Sequence, residues 1–88
     1  MSGDIKNSYG ELFEVILKLK DEQQCEAFFR DLCTIKELDS MTQRVKSAKM
    51  LLDGATYEQI ISKTDISSAT LSRVSRCVKY GEGYKNLL

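Results

Sequence analysis

At 88 residues and 10.0 kDa the chain has room for one domain, and a domain of that size buries only about 60–65% of its unfolded surface, so the core is thin. Apolar residues make up 42%, no run approaches the ~18 positions of a membrane-spanning helix, and the start has no basic-then-apolar leader, so a soluble cytoplasmic protein with no membrane partner is expected. Cys25, Cys33 and Cys77 form no C-x-x-C pair and histidine is absent, which argues against a disulfide scaffold, a zinc site or any other metal or cofactor.

Thirteen bases and thirteen acids cancel, with a pI near 6.2, well below the ~9 typical of generic polyanion binders. The balance is uneven along the chain. Residues 1–33 carry Lys6, Lys18, Lys20 and Arg30 against seven acids, a net of −3, and residues 34–88 carry nine bases against six acids, a net of +3. From Ile66 onward Arg73, Arg76, Lys79 and Lys85 face only Glu82, so a polyanion would meet the C-terminal part.

Proline is absent and there are five glycines, so little interrupts helices and the fold is expected to be all-α. Residues 1–7 read as a tail. Ser8 with Glu11 fits a capping box that opens a helix to about Lys20, on which Tyr9, Leu12, Phe13, Ile16 and Leu17 share one face. Asp21 with Gln24 caps a second helix carrying Cys25, Phe28, Phe29, Leu32 and Cys33 at the same spacing, the cysteines serving as packing atoms.

Thr34 with Glu37 opens a third helix to about Asp53, closed by Gly54 in the left-handed conformation. Leu38, Met41, Val45, Ala48 and Leu52 make one seam on it, and Met50 and Leu51 lie off that seam. With so little core, one of the two faces, Met50 and Leu51 or the seam opposite them, asks for a partner, most economically another copy of the chain. Residues 8–53 are therefore expected to supply dimerisation helices.

The segment TYEQIISKTDISSATLSRVSRCV, residues 56–78, reads as a helix-turn-helix, the whole motif spanning 56–80 and followed by a C-terminal segment, 81–88. Thr56 and Gln59 cap a short helix presenting Ile60 and Ile61. Asp65, tolerant of the left-handed region, makes the turn, and Ile66 pins it. Ser67 caps a second helix presenting Leu71, Val74 and Val78 inward. Its other face carries Ser68, Ala69, Ser72, Arg73 and Arg76, small polar and basic groups that suit a DNA groove.

The stretch TIKELDSMTQRVKSAKMLLDGATYEQI, continued by the segment above, resembles the Trp repressor superfamily, in particular the Trp-repressor-related YerC/YecD-type proteins of Gram-positive bacteria. The likeness runs from Thr34 to about Tyr84 and includes the ending YGEGYK. It implies an intertwined, all-helical homodimer whose two helix-turn-helix units bind an inverted-repeat operator in double-stranded DNA. It also implies that Ser68, Ala69, Thr70 and Ser72 enter the major groove. Thr56 and Ser67, at helix starts, are then phosphate contacts, and Arg73, Arg76 and Lys79 add charge. In the family a corepressor lies between two arginines, which correspond here to Arg44 and Arg73. Where the tryptophan-responsive members have glycine and serine, this chain has Val74 and Cys77, which argues against tryptophan and leaves any other effector open.

Enzyme function is not expected. The chain has no histidine, no glycine-rich phosphate loop and no cysteine with a base partner. Two other readings compatible with the pattern are a helical protein-interaction module and the DNA-targeting component of a replication or transposition system. The first would more naturally expose a large apolar anchor than Ser, Ala and Arg.

Overall fold

The computed structural model describes residues 2–88, with side chains from Ser8 onward. Six helices follow in order, and no strand occurs among the described residues: α1 (Ser2–Ile16), α2 (Glu22–Leu32), α3 (Ile35–Leu52), α4 (Tyr57–Lys63), α5 (Ser68–Tyr80) and α6 (Gly83–Leu87). The all-α expectation is met. The chain forms two compact units, one ending at Thr34 and the other spanning Ile35–Leu88.

In the first unit α1 starts at Ser2 rather than Ser8, so the segment expected as a tail is helical from its second residue. Ser8 and Glu11 lie inside the helix. With no proline nearby, nothing in the sequence halts the helix at the candidate cap. The other end also differs, since α1 stops at Ile16 instead of about Lys20. The cause lies in the next helix. Asp21 caps α2 by accepting from the Gln24 N–H at 2.8 Å, and the Gln24 side chain reaches back to accept from the Lys20 N–H at 3.0 Å. This reciprocal cap takes Lys20 out of α1, while Lys18 and Leu19 bond to carbonyls three residues back as the helix tightens and ends. Phe28 and Phe29 meet edge to face with centroids 5.3 Å apart, and Arg30 pairs with Glu26 at 3.0 Å. Among the described residues up to Thr34 none is buried; Leu17 is 83% exposed, and Tyr9, Leu12, Phe13 and Leu32 are also open.

The second unit closes a core around Ala48, Ile60, Ile66, Leu71 and Val74, with Met50, Leu51, Ala55, Val78 and Tyr84 packed against it. α3 begins directly after Thr34, as expected, and ends in a Schellman motif. Gly54 takes φ +91, the Ala55 N–H bonds to the Met50 carbonyl at 2.9 Å, and the Gly54 N–H to that of Leu51 at 3.0 Å. Of the two apolar faces of α3, the structure decides which is left uncovered. Met50 and Leu51 help close the unit's own core, and the uncovered apolar residues are Ile35, Met41, Val45 and Leu52. Ser47 and Ala48, both fully buried, let α3 approach α5 closely, because small side chains at a helix crossing reduce the distance between axes.

α4 is opened by the predicted capping box: the Thr56 side chain accepts from the Gln59 N–H and the Gln59 side chain from the Thr56 N–H. Ser67 caps α5 by accepting from the Thr70 N–H at 3.2 Å. The turn between them departs from expectation, since no non-glycine described residue has a positive φ, Asp65 included. Extended residues make the bend. Thr64 and Ser67 are both in the extended region, the Thr64 hydroxyl donates to the Ile60 carbonyl and accepts from the Ile66 N–H, and the Ile66 side chain is buried beneath. Of the two isoleucines expected to face inward, only Ile60 does so; Ile61 is 44% exposed.

Candidate nucleic-acid interface

The second unit holds the bihelical motif from both sides of its turn. Ile60 of α4, Ile66 of the turn, and Leu71 and Val74 of α5 share the core with Ala48 of α3, so the angle of α5 is fixed by buried apolar contacts. Its outer surface is then set by the 3.6-residue repeat. Ala69, Ser72, Arg73, Arg76 and Tyr80 recur at spacings of three and four and are all exposed. Ser68 lies at the margin of this face and Lys79 on the outer surface near the end of the helix, also exposed.

Distances along the helix sort these residues by depth. At 1.5 Å per residue, Arg73 and Arg76 stand about 6 and 10 Å beyond Ala69, and the major groove is about 8.5 Å deep. A helix entering by its N-terminus would set Ser68 and Ala69 deepest, Ser72 and Arg73 partway up the groove, and Arg76 near the phosphate rim. Tyr80, 81% exposed, lies about 16 Å beyond Ala69 on the same count and stands clear of a duplex so bound.

Thr70 differs from its neighbours. It is half-buried, and its hydroxyl oxygen lies 3.0 Å from the Ser67 hydroxyl, so both groups are engaged in capping. The Thr56 oxygen is likewise occupied by the Gln59 N–H. The Ser67 proton is thus spent on Thr70, whereas Thr56 only accepts and keeps its O–H to donate to a phosphate beside the backbone N–H groups that the caps leave free. Ser68 and Ser72 hydroxyls have no hydrogen-bond partner among the described residues.

The four candidate pocket residues are not gathered into one cavity. Val74 is 2% exposed and belongs to the core. Arg73 and Cys77 share an open cleft of about 460 Å³ with Arg76, Tyr80 and Gly81. Cys77 also borders a largely apolar hollow of about 470 Å³ with Val45, Tyr84 and Leu87. Arg44 is exposed and lines neither. Sequence reasoning misses Gly81, which bounds both hollows. A Cβ there would fall 2.7 Å from the Cys77 carbonyl oxygen, so the turn into α6 excludes a side chain. Its position just past the last residue of α5 is the signal that could have found it. Among the described residues no group of His, Cys, Asp or Glu could hold a metal ion, and no helix is long and apolar enough to cross a membrane.

A curated relative, the YerC protein of Bacillus subtilis (strain 168), itself uncharacterized, is 52% identical over 71 residues, covering 81% of this chain and 68% of its own length. Solved structures that match the fold include the following two. A candidate Trp repressor from Staphylococcus aureus superposes with a TM-score of 0.84 at 41% identity, covering 90% of this chain and 80% of the other. A TrpR-like protein from Eubacterium eligens ATCC 27750 superposes with a TM-score of 0.87 at 45% identity, covering 94% and 88% respectively. Residues 7–88 match the family model described as Trp repressor protein, and with these identities over most of its length the chain belongs to the Trp repressor family.

Proposed function

We propose that this protein is a sequence-specific DNA-binding transcriptional regulator, repressor-like, that binds an inverted-repeat operator as a homodimer and does not respond to tryptophan. One observation carries the reading. α5 is locked by Ile60, Ile66, Leu71 and Val74 with Ala69, Ser72, Arg73 and Arg76 turned outward, a rigid helix offering small groups at one end and cations beyond them. Ser68, Ala69 and Ser72 are the groove residues, and Arg73, Arg76 and Lys79 the phosphate contacts, with the N-termini at Thr56 and Ser67 contributing backbone N–H groups.

None of the groove residues makes the bidentate contact that Arg, Asn or Gln makes to a base edge, so duplex shape and bridging water supply part of the selectivity. The homodimer is supported by apolar side chains left uncovered in one copy: Tyr9, Phe13 and Leu17 in the first unit, and Met41, Val45 and Leu52 on α3. Two-fold symmetry would set the recognition helices about 34–36 Å apart, one duplex turn. Against tryptophan stands Val74, whose side chain fills space that a glycine would leave open. The thiol of Cys77 is also a weaker hydrogen-bond partner than a hydroxyl.

Selection of bound duplexes from a random pool tests the reading. An inverted repeat should emerge with or without L-tryptophan. Arg73→Ala and Arg76→Ala should weaken binding to selected and random duplexes alike and reduce the slope of log K against log salt by about 0.9 for each phosphate no longer neutralised. Recovery of no preferred duplex, or arginine variants equal to the parent at matched salt, overturns the assignment.

A further inference from the structure

We infer that the polar cleft between α3 and the turn after α4 binds a short peptide of about three residues, held by its two charged ends. α3 supplies one wall. Asp39, Thr42, Gln43 and Lys46 recur at i, i+3, i+4 and i+7, the spacing that carries an apolar stripe where a helix packs on a neighbour. Here every side chain in that register is polar, and a space of about 340 Å³ stays open between it and Lys63, Thr64 and Asp65. Ligand sites run from about 300 to 1,000 Å³, so the cleft suits a small molecule. No apolar residue lines it.

The polar groups left unused decide what fits. The Thr42 hydroxyl donates to the Leu38 carbonyl and the Thr64 hydroxyl to that of Ile60. The side chains of Asp39, Gln43, Lys46, Lys63 and Asp65 make no hydrogen bond or ion pair among the described residues. Two carboxylates and two ammonium groups thus line one cleft unpaired. A simple anion there meets both carboxylates and a simple cation both ammonium groups, so the matching ligand carries both signs. Its charges must also be well separated. Asp39 and Lys46 lie seven residues apart on α3, about 10 Å along the axis, which is the length of three extended residues at about 3.3–3.6 Å each. A free amino acid is too short to span them. The ammonium end of a tripeptide then meets Asp39 and its carboxylate end Lys46, and the Gln43 amide bonds to a peptide group between them. Lys63 and Asp65 complete the opposite wall with one charge of each sign.

Triglycine, titrated into the full chain at low salt and followed by amide-resolved NMR, tests the site. Saturable shifts are expected at Gln43, Lys63 and Asp65, with a Kd of about 1 mM or tighter. N-acetyl-triglycine lacks the ammonium and triglycine amide lacks the carboxylate, and each should bind about tenfold more weakly. Glycine, which reaches one end only, should bind as weakly as either. Asp39→Asn and Lys46→Gln change exposed positions, so the fold is kept. The first should weaken triglycine about tenfold and leave N-acetyl-triglycine unchanged, and the second should do the same with triglycine amide as the insensitive ligand. No saturable shift, shifts centred away from the cleft, a capped peptide or glycine bound as tightly as triglycine, or variants equal to the parent overturns the inference. None of these measurements involves DNA, so the regulator reading is unaffected by their outcome.

Discussion

α1 and α3 each carry apolar residues at a helical spacing, yet their surroundings differ. In the unit that ends at Thr34 no described side chain is buried, although Tyr9, Leu12 and Phe13 lie within one helix and Phe28 and Phe29 meet edge to face in another. From Ile35 onward a chain with no more aromatic residues closes on Ile60 and Leu71, both fully buried. The difference is one of connectivity. Two helices joined by a short turn have few faces to set against each other, whereas α3, α4, the turn at Ile66 and α5 converge on one volume. Periodicity says that a helix has an apolar face; it does not say that the same copy of the chain covers it.

The sharpest way to break this contrast is to empty the closed core. Leu71→Ala removes a fully buried side chain and should cost about 2–5 kcal/mol. Urea unfolding followed by circular dichroism reads it, and a cost below about 1 kcal/mol would mean the second unit is not the stable body of the molecule. The matching substitution in the first unit should act through association. Phe13→Ser leaves the second unit's core untouched, so in sedimentation at micromolar concentration it should shift the proposed dimer toward monomer with most helicity retained. A parent that is already monomeric, or a variant that unfolds outright, would contradict the role given to the first unit.

A smaller effect is expected at the end of α3. Gly54 holds φ +91 with open space around its Cα, so Gly54→Ala meets no clash and reports the left-handed backbone alone. The cost should be about 1–2 kcal/mol, seen as a lowered midpoint in thermal or urea unfolding. An unchanged midpoint would indicate that this turn relaxes and does not position α4.

The helix-turn-helix is legible in the sequence because its signals are local. Thr56 with Gln59, Ser67 with Thr70, and the spacing of Leu71, Val74 and Val78 each lie within a few residues of their partners. The differences between sequence and structure are of another kind. Ser8 and Glu11 have the right residues for a cap and sit inside α1, because a capping box describes what could close a helix start and not where the start is. Ile60 and Ile61 are neighbours with the same side chain, and only the position of Ala48 and Leu71 across the unit decides which turns inward. The two faces of α3 pose the same problem: Met50 and Leu51 belong to the core because α5 and α6 pack over that end of the helix. At Asp65 a rule for single turn residues overlooks the Thr64 hydroxyl, which ties the bend to the Ile60 carbonyl and the Ile66 N–H without a positive φ.

The smallest predicted effect runs in the opposite direction and tests how well the closed core is optimised. Ser47 is fully buried on α3 and its hydroxyl has no hydrogen-bond partner among the described residues. A buried hydroxyl left unpaired costs about 1–3 kcal/mol of desolvation. Its small size is what the α3–α5 crossing needs, and alanine keeps that size while removing the polar atom and improving helix propensity by a few tenths of a kcal/mol. Against these gains stands the loss of one oxygen's packing. Ser47→Ala should therefore stabilise the protein by about 0.5–1 kcal/mol, with DNA binding unchanged because the residue is fully buried on α3 and absent from the exposed surface of α5. Destabilisation by Ser47→Ala in urea unfolding would show that the hydroxyl is satisfied in solution, by a buried water or by the backbone carbonyl one turn earlier.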